Sequence, residues 1–164
     1  MRIYIILVIA LAACKGNRNA AQVEEKDGHK IITVDAGDQM IAATEEAIKN
    51  YPLFEQAMHG PDTTLSQFGV RMQFTDGAKN KEHLWLKKLH NIGGQLFGVV
   101  DTEPMHVTGM KFGDTVRVVR NDITDWMYVK NGKLQGGYTL KVLYNSMDEN
   151  MKRQFRSSVP FEIE

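Results

Sequence analysis

The spacing of apolar positions along this chain changes several times, and each change marks a boundary. Residues 15–28 (KGNRNAAQVEEKDG) are polar and mixed in charge, a composition that reads as a flexible tether. Ile31-Ile32-Thr33-Val34 is a short apolar patch that forms a first strand or starts the domain. Asp38 suits a helix N-cap. After it Met40, Ala43, Ala47, Ile48 and Tyr51 recur at helical spacing, with Glu45, Glu46 and Lys49 on the other face. Pro52 has no N–H to donate, so it ends or kinks this helix. Equally it opens a second short helix carrying Leu53, Phe54, Ala57 and Met58.

Beyond Gly60-Pro61 the period falls to two. Phe68, Val70, Met72 and Phe74 alternate with Gly69, Arg71 and Gln73, as in a strand with one buried face. From Glu82 to His90, Leu84 and Leu86 face one way while His83, Trp85 and Lys87 face the other. Asn91-Ile92-Gly93-Gly94 is a hairpin connection to a strand over 95–101. Residues 102–111 form an irregular link, and Gly113-Asp114 turns the chain into Thr115–Arg120, with Val116 and Val118 inward. In the next strand Ile123 and Met127 are expected to share a core face. Asn131-Gly132 is a strong hairpin signal, because both positions tolerate the positive φ of a type I′ turn. Tyr138 to Leu143 reads as the returning strand, with Gly136-Gly137 as a β-bulge or a place where another backbone approaches. Ser146-Met147-Asp148-Glu149 has the form of a capping box for a short helix with Met147, Met151 and Phe155.

The expected fold class is α+β. N-terminal helices pack on an antiparallel sheet, strongly bent or closed into a partial barrel, and a short helix follows. The domain spans 31–156, and 157–164 (SSVPFEIE) reads as a loose tail.

The first thirty residues change the picture from fold to location. Arg2 precedes an apolar run from Ile3 to Ala13. At ~1.5 Å per residue that run crosses about half of a ~30 Å hydrocarbon core, which suits the h-region of a signal peptide. The ending Leu11-Ala12-Ala13-Cys14 resembles the lipobox of bacterial lipoproteins, in which the cysteine is lipidated and becomes the mature N-terminus. Cys14 is the only cysteine in the chain, and lipidation accounts for a lone thiol in an exported protein. Residues 1–13 are then the signal peptide, and 14–30 the lipidated cysteine and tether. Acyl chains at ~0.8 kcal/mol per buried methylene supply a durable membrane anchor. Lys15 is not an acidic retention signal, which points to the outer membrane, on the periplasmic side.

Charge and composition narrow the chemistry. Removing 1–13 takes away only Arg2, turning 20 basic against 20 acidic residues into 19 against 20. Such a balance lacks the basic footprint of a nucleic-acid binder. The mature chain has no thiolate nucleophile and no disulfide. The five histidines, His29, His59, His83, His90 and His106, form no HxH or HxxxH pair, and no metal or other cofactor is expected. No GxSxG elbow is present, and Ser66, Ser146, Ser157 and Ser158 sit in turn, cap or tail positions. Asp122 with Asp125, or Asp101 with Glu103, are carboxylate pairs that read first as turn and cap acceptors. Trp85 reads as a second-core residue if the sheet face it shares with His83 is covered, and as a contact residue if it is bare.

The segment ITDWMYVKNGKLQGGYTLKVL, with KFGDTV before it and HLWL upstream, resembles the bacterial family called domain of unknown function 2314, the YegJ-like proteins. The resemblance runs from about Val34 to Met151. Its D-W-M-Y…N-G-K-L…G-G-Y-T pattern is long and specific, and Tyr51-Pro52-Leu53-Phe54 also has the family's look. It implies a single α+β domain with exported members, and it carries over no catalytic or binding residue.

The function expected from all of this is a non-catalytic, lipid-anchored domain that binds a protein or peptide. Its contacts are expected at Trp85, Trp126, Tyr128 and Tyr138, with Asp125 beside them. The alternative is an envelope enzyme of hydrolase type using Asp125 and His83 as an acid–base pair, which requires the two side chains to meet in a cleft.

Overall fold

The computed structural model describes the backbone at residues 5–7, 21–26, 29–34 and 37–164, and side chains from residue 37 onward. Three short strands, β1 (Ile5–Leu7), β2 (Ala21–Lys26) and β3 (His29–Val34), pair in the order β1-β3-β2. The Ile31 to Val34 patch is thus strand, and Ala21–Lys26, within the span read as a tether, pairs antiparallel with it. Cys14 and the residues around it lie outside the described residues.

α1 (Gly37–His59) is one helix of 23 residues, not two, with Asp38 in its first turn rather than at its cap. Pro52 lies inside it on the exposed side. An internal proline costs a helix roughly 3 kcal/mol. Tyr51 and Phe54, on either side of it, are buried, and burying each aromatic returns about 2–3 kcal/mol. The helix therefore runs through the proline, because both halves are pinned to the same sheet.

That sheet has six antiparallel strands in the order β7-β6-β5-β4-β8-β9. They are β4 (Leu65–Thr75), β5 (Lys81–Ile92), β6 (Gln95–Val100), β7 (Thr115–Arg117), β8 (Ile123–Lys130) and β9 (Lys133–Gly136). Both predicted hairpin turns are present, with positive φ at Gly93 and Gly94 and at Asn131 and Gly132. The sheet is open and not strongly curled, which corrects the expectation of a bent sheet or partial barrel. Bulges interrupt its registers between Ser66 and Gly69, Arg71 and Met72, and Lys87 and His90, but they do not close it. Closure is unnecessary because both faces are covered. α1 lays Ala47, Tyr51 and Phe54 on Val70, Met72, Leu84, Leu86 and Trp126. α2 (Tyr138–Ser146) and α3 (Glu149–Ser158) lay Leu140, Leu143, Tyr144 and Phe155 on Trp85, Met127 and Leu134.

Several local readings change with this second layer. Tyr138 to Leu143 is the start of α2 and not a strand; only Lys133–Gly136 returns along β8. Ile123 packs with the α1 face and Met127 with the α2–α3 face, because a register shift opposite Arg71 and Met72 turns the strand over. Asp148, not Ser146, caps α3, accepting from the Met151 N–H at 2.8 Å. Residues 157–164 are not loose. Ile163 is buried with the second core, and the Glu162 backbone bonds to Gly132 and Leu134, so the tail covers the outer edge of β9.

Candidate functional site

A fully buried polar knot is built from the DW…GGYT pattern. Asp125 is wholly enclosed on the face of β8 that α2 covers. Its Oδ1 accepts from the N–H of Trp126 at 2.8 Å and of Tyr138 at 3.2 Å. Its Oδ2 accepts from the Thr139 N–H at 2.8 Å and the Thr139 hydroxyl at 2.6 Å. The carboxylate thus caps α2 from a strand thirteen residues away, satisfying the orphan donors of a helix start. The residue before α2, Gly137, is left-handed and cannot do that locally. Its N–H goes to the Trp126 carbonyl at 2.7 Å. Gly136 has a φ of +69°, and a Cβ there would meet the Trp126 carbonyl oxygen and stand 2.5–2.6 Å from the indole ring. On the other face Trp126 donates its indole N–H to the Ala47 carbonyl of α1 at 2.8 Å.

Beside this knot lies an incomplete charge balance. Arg71, predicted outward, is buried because α2 covers its face. It sits between Trp85 and Asp125 on the neighbouring strands. Its Nε has no hydrogen-bond partner. Burial lowers its pKa to about 10, against the favourable charge of Asp125. Burial likewise pushes the Asp125 carboxyl up, opposed by its bonds from Thr139 and Trp126 and by Arg71. His83 bonds to the Thr124 hydroxyl at 3.1 Å. Burial, then the charges of Arg71 and Lys81, hold it down at about 4.

The residues expected at a contact surface are distributed differently from that expectation. Trp85 and Trp126 are buried at 8% and 2% exposure, so both serve packing. Tyr128 and Tyr138 are half-buried and flank Trp126 in an aromatic series, Tyr128 stacked on the indole and Tyr138 edge-on. Asp125 and His83 are not brought together as a hydrogen-bonded pair: each has its own partners. Asp101 is held by Lys87 at 2.5 Å. No group of three or more metal-ligating side chains occurs among the described residues. The sequence reading missed Glu82, whose buried carboxylate accepts from the backbone N–H groups of Met105, His106 and Val107 and fixes the irregular link.

It also missed a groove of about 410 Å³ at the other end of the sheet, between residues 94–96 and residues 117–121. Arg117 and Arg120 line it, with the half-buried apolar side chains of Leu96, Val118 and Val119. The Arg120 guanidinium lies over the Tyr51 ring, 3.7 Å from its centroid. Neither arginine forms an ion pair with a described carboxylate. Only the pattern R-V-V-R-N carries a signal for this site, and without the fold Arg117 to Arg120 read as part of a strand with Val116 and Val118 inward.

Residues 37–163 match the family described as an uncharacterized protein conserved in bacteria, DUF2314. The chain belongs to this family. It is 33% identical over 104 residues to the uncharacterized protein YegJ of Escherichia coli K12, across 63% of this chain and 66% of that protein. It is 34% identical over 83 residues to a putative ankyrin repeat protein of Neisseria meningitidis serogroup B, across 49% of this chain and 33% of that one. The aligned stretch therefore covers less than two thirds of either relative. No solved structure matches the chain.

The DUF2314 pattern in this chain is thus a structural knot, with measurable consequences. Asp125→Ala leaves three backbone N–H groups and a hydroxyl without their acceptor beside a buried Arg71, and is expected to cost about 3–5 kcal/mol. Gly136→Ala, forced to positive φ against the indole, is expected to cost about 2–4 kcal/mol. Urea denaturation measures both, and losses under 1 kcal/mol would refute the assignment. His83 gives a pH signature. Its folded pKa lies below the unfolded value, so its stabilisation is complete above about pH 6.5. As pH falls towards 4 the unfolded chain takes up a proton that the fold refuses, and stability drops by on the order of 2 kcal/mol. His83→Gln is expected to flatten that part of the stability–pH curve.

Proposed function

We propose that this DUF2314 protein is a non-catalytic binding domain for a protein or peptide, lipid-anchored through Cys14 in the bacterial envelope. In this reading it faces the periplasm, from the outer membrane. The observation that carries it is the open groove with two arginines that no described carboxylate neutralises. Its size falls in the range of ligand sites, and its guanidinium groups have N–H edges left to give. The carboxylates and histidine that an enzyme would need are engaged elsewhere. Asp125 takes four donors from β8 and α2, and His83 is bonded to Thr124. The hydrolase alternative through those two residues therefore has no geometric support. The match to one third of a longer Neisseria protein favours a unit that also serves within a larger chain.

The contact surface moves accordingly. Trp85 and Trp126 hold the fold, Tyr128 and Tyr138 border the aromatic series, and Arg117 and Arg120 meet the partner. The test is made in living cells with a photo-crosslinking amino acid at Gln95, which lines the groove, or at Lys79, in an exposed turn far along the chain. The expected result is a discrete adduct from position 95 and none from position 79, together with palmitate labelling that disappears in Cys14→Ala. An absence of groove-specific adducts would overturn the binding site, and labelling that persists in Cys14→Ala would overturn the anchor.

A further inference from the structure

The two ends of the six-stranded sheet are treated differently, and the difference points to a ligand class. At the β9 end, the chain's own C-terminal residues lie alongside: Lys133 bridges to Glu162 in parallel, and Leu134 N–H donates to the Glu162 carbonyl at 2.9 Å. At the other end, no strand among the described residues pairs beyond β7. Its bonds to β6 run through Asp114 and Val118, since Val100 N–H donates to Asp114 and Val118 N–H donates to Leu96. The alternation of an antiparallel ladder then turns the backbone N–H and C=O of Thr115 and Arg117 towards the free edge. Both residues are exposed. A short charged edge is also how proteins discourage unwanted pairing. Here, however, Arg117 belongs both to this edge and to the groove of about 410 Å³, whose lining continues from Arg117 to Arg120.

The two arginines are placed for anions. Arg120 is held over the Tyr51 ring; the ring attracts the cation through its face and leaves guanidinium N–H groups to make paired bonds with a carboxylate. The apolar side chains of Leu96, Val118 and Val119 offer room for short aliphatic residues between the charges. Resting on the reading of this groove as the binding site, we propose that its ligand is an acidic, extended peptide segment of a partner protein. Such a segment pairs its backbone with the outer edge of β7 and sets its carboxylates on Arg117 and Arg120. Backbone pairing supplies affinity, and alternate side chains supply selectivity.

The experiment uses the full-length protein and a fluorescein-labelled peptide of alternating glutamate and valine, with a glutamine–valine peptide and phosphatidylglycerol vesicles as the other arms. Anisotropy is expected to show binding of the acidic peptide, weakened by salt and weakened about tenfold or more by Arg117→Gln and by Arg120→Gln. Arg117→Gln leaves the Tyr51 contact untouched and so separates ligand contact from folding; its melting temperature is expected to stay within about 2 °C. The Thr115 and Arg117 amides are expected to gain protection from hydrogen exchange when the peptide is bound. Equal binding of the glutamine peptide, indifference to both arginine substitutions, or Arg117-dependent binding of the vesicles alone would overturn the proposal. A groove-specific cross-link in cells combined with no binding of the acidic peptide would leave the site and refute the ligand class.

Discussion

The structure depends on one buried carboxylate. Asp125 has its lone pairs filled by β8 and by the first turn of α2, so it does for α2 what a local capping residue does for most helices. Gly137 cannot supply a side-chain oxygen, and its left-handed backbone is what brings Tyr138 and Thr139 round to reach the aspartate. Once that turn is set, the direction of α2 follows, then α3, and then the C-terminal strand-like segment that closes the β9 edge. Trp126, the next residue, faces the opposite side of the sheet and ties α1 down through Ala47. A single dipeptide thus fastens a layer to each face of one sheet.

This arrangement explains why the sheet stays open. A barrel hides the inner face of a sheet by curling it; here each face has its own helical cover, and two separate apolar cores result. It also explains the cation in the interior. Arg71 lies beneath α2 opposite Asp125, where the two charges temper each other's burial without a direct ion pair. Replacing either alone leaves the other exposed to a low-dielectric interior, so the pair is held together by cost as much as by attraction.

Much of this was legible in the amino-acid sequence. The α+β class, the two glycine hairpins, the alternating strands and the family resemblance all follow from local spacing, and local spacing survives folding. What did not follow were features decided by residues far apart. The period of Tyr138 to Leu143 was read as strand because its cap, Asp125, stands on another element. Arg71 was placed in solvent because the helix above it was not foreseen. Trp126 looked like a contact residue, and Trp85 stood open between core and contact, for the same reason. The groove escaped notice because its walls come from a hairpin tip and a segment more than twenty residues later. Chemical density marked the scaffold, and the quieter R-V-V-R-N stretch marks the candidate for binding.

The central claim, that the D-W…G-G-Y-T pattern is a fastening and not a working surface, is tested most directly by native-state hydrogen exchange at the amides of Gly137, Tyr138 and Thr139. These three donate to Trp126 and Asp125, so they are predicted to exchange only through global unfolding, with the same free energy as the central strands β4 and β8. Rapid exchange at these amides while β4 and β8 remain protected would mean that α2 opens by itself, and would contradict the account.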